Sequence, residues 1–263
     1  MPRGVSRHDE AQLQRRLWTP HALRPSVALW LDAGELPKMV VDSSTRVTDW
    51  SDLLGQRIAL GDGVTGANRP LWNIGASQPY SHVYFSSSVN QFLNLSSSIA
   101  YSGSDGLCVV AVAELRAGRA YQTIIGHNSG GLQIRWEYST GLIQCLRAAQ
   151  AGVITSTAAA SGVGPHIISA QFATNYAEVA VNGSRNTNTT NPAFTNPITC
   201  VGNRATADGE AMVGGILGIL VFSRRLSSAD VARAEGYLAW RAGVQKNLAG
   251  THPYKNAPPL IGG

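Results

Sequence analysis

Charge is scarce in this chain. Of its 263 residues only 14% are Asp, Glu, Lys or Arg, and the formal net charge is +5. With 44% hydrophobic residues there is enough apolar surface to fold, so a disordered polyelectrolyte is excluded. Cysteine is scarcer still: Cys108, Cys145 and Cys200 are far apart, odd in number and without a CxxC pair. That argues against a zinc framework or a disulfide scaffold. The three read as small buried hydrophobes of a protein folded in a reducing compartment. No apolar run reaches the roughly 18 residues of a membrane helix. Met1 to Glu10 is polar and offers no signal-peptide core. What is plentiful is glycine, 28 residues, in a length that suits one large all-β domain or two small ones.

The few charges are unevenly placed. Residues 1–24 carry +3, residues 224–263 carry +4, and the body between them is at −2. Basic ends of this kind suit docking on an acidic surface. Aromatic residues are not interleaved with the basic ones and no nucleic-acid motif is present, so nucleic acid is not the expected partner.

Periodicity sets the organisation. Leu13 and Leu17 fall four apart between Asp9 and Trp18, which predicts a short N-terminal helix closed by Pro20 and Pro25. Val27 to Leu31 reads as a strand, and residues 51–80 read as loop because of their glycines and prolines. A series of short strands follows. In one of them Leu132, Ile134 and Trp136 alternate with Gln133, Arg135 and Glu137. Asn182-Gly183 predicts a hairpin turn after Ala177 to Val181. The spacing of strands and turns predicts a β-sandwich. Ser227 with Asp230 predicts a helix start, and Val231, Ala234, Leu238 and Ala242 continue at helical spacing. The prolines of Thr251 to Pro259 predict an extended tail. The expected division is an N-terminal anchoring segment 1–24, a sandwich 25–243 that includes a helix 227–243, and an extended tail 244–263.

The chemical motifs are weak. Gly61-Asp62-Gly63-Val64-Thr65-Gly66 has the GxGxxG spacing, but Pro70 stops the helix a dinucleotide site needs. Gly126-His127-Asn128-Ser129-Gly130 is not a nucleophile elbow. Oxygen ligands for calcium are conceivable at Asp32, Asp42, Asp49 or Asp208, without an EF-hand-like loop. No catalytic residue, resident cofactor or other metal is expected. Trp72 and Tyr80 offer aromatic faces, and Asn128, Asn186 and Asn188 offer amides, for a sugar ligand.

Stretches along most of the chain carry a resemblance. Leu17-Trp18-Thr19-Pro20, Ala28-Leu29-Trp30-Leu31-Asp32-Ala33 and Val47-Thr48-Asp49-Trp50-Ser51-Asp52 resemble the opening of concanavalin A-like, laminin-G-like jelly-roll proteins. Ala177 to Gly183 resembles their "YVNG" strand and turn. Gly218 to Ser227, Glu235 to Trp240 and His252-Pro253-Tyr254-Lys255 resemble the C-terminal part of such proteins from bacteriophage virion clusters and bacterial surfaces. Gly218 departs from the pattern, since relatives often have an acidic residue there. Trp30 to Glu35 also resembles the ExDxxE strand of a glucanase family, with Trp30 in the place of the nucleophilic Glu, so a retaining hydrolase is not expected.

The resemblance implies an antiparallel jelly-roll sandwich and a non-catalytic structural protein of a tailed-phage virion, assembled in a bacterial cytoplasm. Capsid decoration is the first expectation, with other virion proteins such as the major capsid or tail protein as partners and a homo-oligomer in the particle. Arg3, Arg7, Leu13, Arg15, Arg16, Leu17, Trp18, Tyr254 and Lys255 would dock on them. The alternative is a tail- or fibre-associated module that binds host surface glycan. No membrane partner is expected.

Overall fold

A computed structural model describes residues 17–61, 68–73, 80–86, 90–127, 132–147, 154–160, 164–189, 197–203 and 209–261. The strands in chain order are β1 Val27–Asp32, β2 Met39–Val41, β3 Val47–Ser51, β4 Ile58–Leu60, β5 Leu71–Asn73, β6 His82–Phe85, β7 Leu93–Ile99, β8 Leu107–Leu115 and β9 Tyr121–Gly126. They continue with β10 Leu132–Glu137, β11 Leu142–Arg147, β12 Ile154–Ala159, β13 His166–Ala173, β14 Tyr176–Val181, β15 Ser184–Asn188, β16 Ile198–Val201 and β17 Gly214–Phe222. One α-helix among the described residues, Ser228–Arg241, follows. None is long and apolar enough to cross a membrane.

The strands form two antiparallel sheets, a jelly-roll-like sandwich as the strand spacing predicted. The nine-stranded sheet runs β12-β11-β10-β9-β16-β7-β4-β3-β2. The eight-stranded sheet runs β15-β14-β13-β8-β17-β6-β5, and β1 shares the edge of β17 with β6. The inner faces enclose one cluster that includes Trp50, Phe85, Phe172, Ile134, Trp136 and Ile219. β8 and β17 are buried at every position. Their unbroken apolar runs follow from this: one face lines the inner core and the other carries a second core beneath the helix.

That second core holds Trp18, Trp30, Val110, Val112, Ile167, Leu220, Val231 and Leu238. Ser227 caps the helix, accepting a hydrogen bond from the Asp230 backbone N–H at 3.1 Å as predicted. The turn at Asn182 and Gly183, with φ of 54° and 84°, joins β14 to β15 as expected. Two three-residue strands, β4 and β5, interrupt the segment read as loop. Strands so short show no alternation to read.

The tail differs from the expected extended segment. It turns at residues 245–247 and again at 250–256, then lies against the chain's own helix. The Trp240 indole N–H donates to the Tyr254 carbonyl at 2.7 Å. Lys255 Nζ donates to the carbonyl of Lys246 at 2.9 Å and to that of Leu248. A Cβ on Gly236 would stand 2.5 Å from Tyr254 Cβ, which is why a glycine, costly inside a helix, occupies that turn. Tyr254 and Lys255 are half-buried and engaged within the chain.

The same correction applies at the other end. Leu17 pairs with Leu260, Trp18 N donates to the Pro259 carbonyl at 2.9 Å, and Trp18 is 4% exposed. Trp18 also meets Tyr237 edge-on. The anchor boundary expected at 24 thus falls inside the packed body. The helical reading of residues 9–16, and Arg3, Arg7, Leu13, Arg15 and Arg16, lie outside the described residues.

Removal of residues 1–24 should lower stability by about 2–3 kcal/mol, the transfer free energy of a large apolar side chain such as Trp18. An unchanged urea midpoint would place Trp18 outside the core.

Candidate functional site

The helix packs on β8, β13 and β17, so it covers the outer face of the eight-stranded sheet. The outer face of the nine-stranded sheet carries the polar side chains. On β10, Leu132, Ile134 and Trp136 point into the core, which sends Gln133, Arg135 and Glu137 to the opposite face. Register brings Thr123 opposite Arg135 and Tyr121 opposite Glu137 from β9, and Gln144 opposite Arg135 from β11.

Arg135 is the hub. Its guanidinium lies 3.9 Å from the centroid of the Tyr121 ring. Its Nη1 donates to Glu210 Oε1 at 3.0 Å, while Nε and Nη2 donate to Gln144 Oε1 at 3.1 and 3.0 Å. Gln144 Nε2 donates to Glu137 Oε2 at 2.8 Å, which also accepts from Thr140 Oγ1. The guanidinium is thereby fixed in one orientation, as a planar five-donor fork must be for recognition. Beside it Gln133 is fully buried, and both amide atoms lack a hydrogen-bond partner. The buried Thr123 hydroxyl also lacks one. Buried polar groups are normally paired, and leaving one unpaired costs about 1–3 kcal/mol.

The residues singled out in sequence for sugar binding do not converge. Trp72, on β5, packs against the inner core and its indole N–H donates to the Ala33 carbonyl at 3.1 Å. Asn186 and Asn188 lie on β15, at the opposite edge of that sheet. Asn186 Nδ2 donates to the Thr155 carbonyl at 2.7 Å and so ties β15 to β12 of the other sheet. It closes the sandwich edge, a structural duty. Asn128 lies outside the described residues. Tyr80 lines a cavity, with Asp32 and Arg241.

The side chains of the glucanase-like stretch are engaged within the chain. Trp30 is buried beneath the helix, in edge contact with His21 and Tyr237. Asp32 accepts from Arg241 Nε at 2.6 Å and from Gly34 N at 2.8 Å, and Glu35 is ion-paired with the same Arg241. Of the oxygen ligands considered for calcium, Asp208 lies outside the described residues, and Asp42 caps a turn by accepting from Ser44 N and Arg46 N. Among the described residues no three His, Cys, Asp or Glu groups come together as a metal site. The three cysteines are buried thiols, Cys200 donating to the Gly126 and Asn203 carbonyls, and burial pushes the Cys108 and Cys145 thiols up.

Arg135, Gln144, Tyr121 and Glu210 were not singled out in sequence. The alternation of Leu132 to Glu137 did expose a polar strand face. What it could not give was the register that adds neighbours from β9 and β11 and from the segment at Glu210.

No protein-family model matches the sequence, and no curated protein does. Solved structures do match in fold. Trypanosoma rangeli sialidase in complex with sialic acid is similar with a TM-score of 0.54 and 12% identity, over 82% of this chain and 33% of that one. The binding domain of Paraclostridial Mosquitocidal Protein 1 is similar with a TM-score of 0.55 and 10% identity, over 80% of this chain and 52% of that one. The chain spans about a third of the length of the sialidase. At such identities the likeness establishes the β-sandwich fold.

Proposed function

We propose that this chain is a non-catalytic glycan-binding β-sandwich whose ligand lies across the outer face of the nine-stranded sheet, on Arg135. The observation that carries the proposal is the Arg135 fork held in one orientation over the Tyr121 ring on that face. The similar structures support the reading by what they are, a sialidase holding sialic acid and the binding domain of a toxin. The absence of hydrolysis is part of the proposal. Trp30 is buried where the glucanase comparison needs a nucleophile, and both nearby carboxylates are paired with Arg241.

A glycan array followed by calorimetry on the best ligand tests this. Arg135→Ala is expected to weaken binding by about tenfold to a hundredfold, the worth of one or two charge-assisted hydrogen bonds. Unchanged affinity in that variant, or no binding across neutral and acidic glycans, would sink the reading.

The role of capsid decoration in a tailed-phage virion is compatible with a sugar-binding face. Its anchor would now be residues 1–16 alone, which hold Arg3, Arg7, Arg15 and Arg16 against Asp9 and Glu10. In that case the chain lacking residues 1–16 still binds its glycan but no longer joins the particle.

A further inference from the structure

A cavity of about 330 Å³ lies on the other sheet, where the end of the helix meets β1. Its floor is apolar, from Val112, Leu217, Gly218 and Leu238, and Tyr80 and Trp240 stand in its wall. Asp32 and Arg241 supply its charged rim. The volume is in the range of small-molecule sites.

The charge on the rim decides what fits. Arg241 is shared between Asp32 and Glu35, so two carboxylates face one guanidinium and the group carries a net −1. Arg241 is also the last helical residue, and a helix C-terminus carries the negative end of the dipole. The adjoining charges do not reverse this. Arg116 Nε donates to Glu114 Oε1 at 2.8 Å, while the other Glu114 oxygen is buried with no hydrogen-bond partner of good geometry. His82, on the neighbouring strand, is 2% exposed, and burial pushes its pKa down, so it is neutral at pH 7. An anion is thus disfavoured. A cation gains from the carboxylates, from the dipole and from the aromatic wall, while an apolar body gains from the floor.

We propose that this cavity binds a small organic ammonium ion. It lies on the opposite sheet from Arg135, so the proposal and the glycan reading stand or fall separately.

Calorimetry at low ionic strength with four probes tests it: choline, n-butylammonium, the uncharged choline isostere 3,3-dimethylbutan-1-ol, and acetate. Choline and n-butylammonium are expected to bind one to one, with choline about tenfold tighter than its isostere. Glu35→Gln, on the second carboxylate paired with Arg241, removes the excess negative charge and should abolish that preference. Tyr80→Leu should weaken choline more than n-butylammonium, because only the primary amine keeps its hydrogen bonds to carboxylate. A choline response in the Arg135→Ala variant equal to that of the parent separates the two sites. Equal binding of choline and its isostere, tighter binding of acetate, no binding of either cation, or no effect of Glu35→Gln would overturn the proposal.

Discussion

Glu235→Ala should lower the unfolding free energy by about 3–5 kcal/mol, the usual loss when one partner of a buried ion pair is removed. Glu235 is fully buried on the helix. Its Oε1 accepts from Ser169 Oγ at 2.6 Å, and its Oε2 meets Arg185 Nη2 at 2.6 Å and His252 Nε2 at 3.1 Å. Arg185 goes on to Glu178 Oε1 at 3.0 Å, and Glu178 also accepts from Gln171 Nε2 and Tyr176 Oη. One carboxylate therefore joins the helix to β13, to β15 and to the tail. Truncation to alanine leaves Ser169 and His252 without that acceptor and Arg185 with Glu178 alone. Glu235→Gln should lose nearly as much, because its amide N–H would face the donors of Arg185. Urea unfolding reads the result as a lower midpoint at unchanged slope. A loss under about 1 kcal/mol would mean that water takes over the carboxylate's partners. The expected loss of about 3–5 kcal/mol is large against a total stability of about 5–15 kcal/mol.

The network explains how much of the molecule was legible in its sequence. Strands with strict alternation, the Asn182-Gly183 turn and the Ser227 cap were readable because each signal is local. Glu235 and His252 were visible as members of a C-terminal pattern, but their contact across 17 residues depends on how the tail folds back. Prolines in Thr251 to Pro259 suggested extension, whereas Gly236 opens the space into which Tyr254 packs. Arg135 was equally hidden: its neighbours come from three separate segments, and only register unites them. Tyr80 and Asp32 were both noted in sequence, though nothing local shows that they share a cavity with Arg241, 209 residues from Asp32.

The same distinction between family marks and function governs Trp50. It stands in the stretch Val47 to Asp52 that resembles the opening of jelly-roll proteins, and a motif of this kind invites a functional reading. Its surroundings argue otherwise. Trp50 is fully buried on β3, opposite Met39 of β2 and Ala59 of β4, and its indole N–H donates to the Asp32 carbonyl at 3.3 Å. Two residues on, the buried Asp52 carboxylate accepts from Gln56 N at 3.0 Å, from Arg57 N at 2.7 Å and from Leu54 N, which closes the turn into β4. Both residues shape the corner where the nine-stranded sheet meets the end of β1. Trp50→Ala should therefore cost about 3–5 kcal/mol through lost burial and the cavity left behind. Trp50→Phe should cost less, about 1–3 kcal/mol, for the smaller ring and the lost indole hydrogen bond to the Asp32 carbonyl, which keeps the Glu35 N–H. Glycan affinity per folded molecule should stay at the parent value in Trp50→Phe, since the residue lies in the core and Arg135 on the far face of the sheet. Lost affinity in a fully folded Trp50→Phe would show instead that the motif reports on binding.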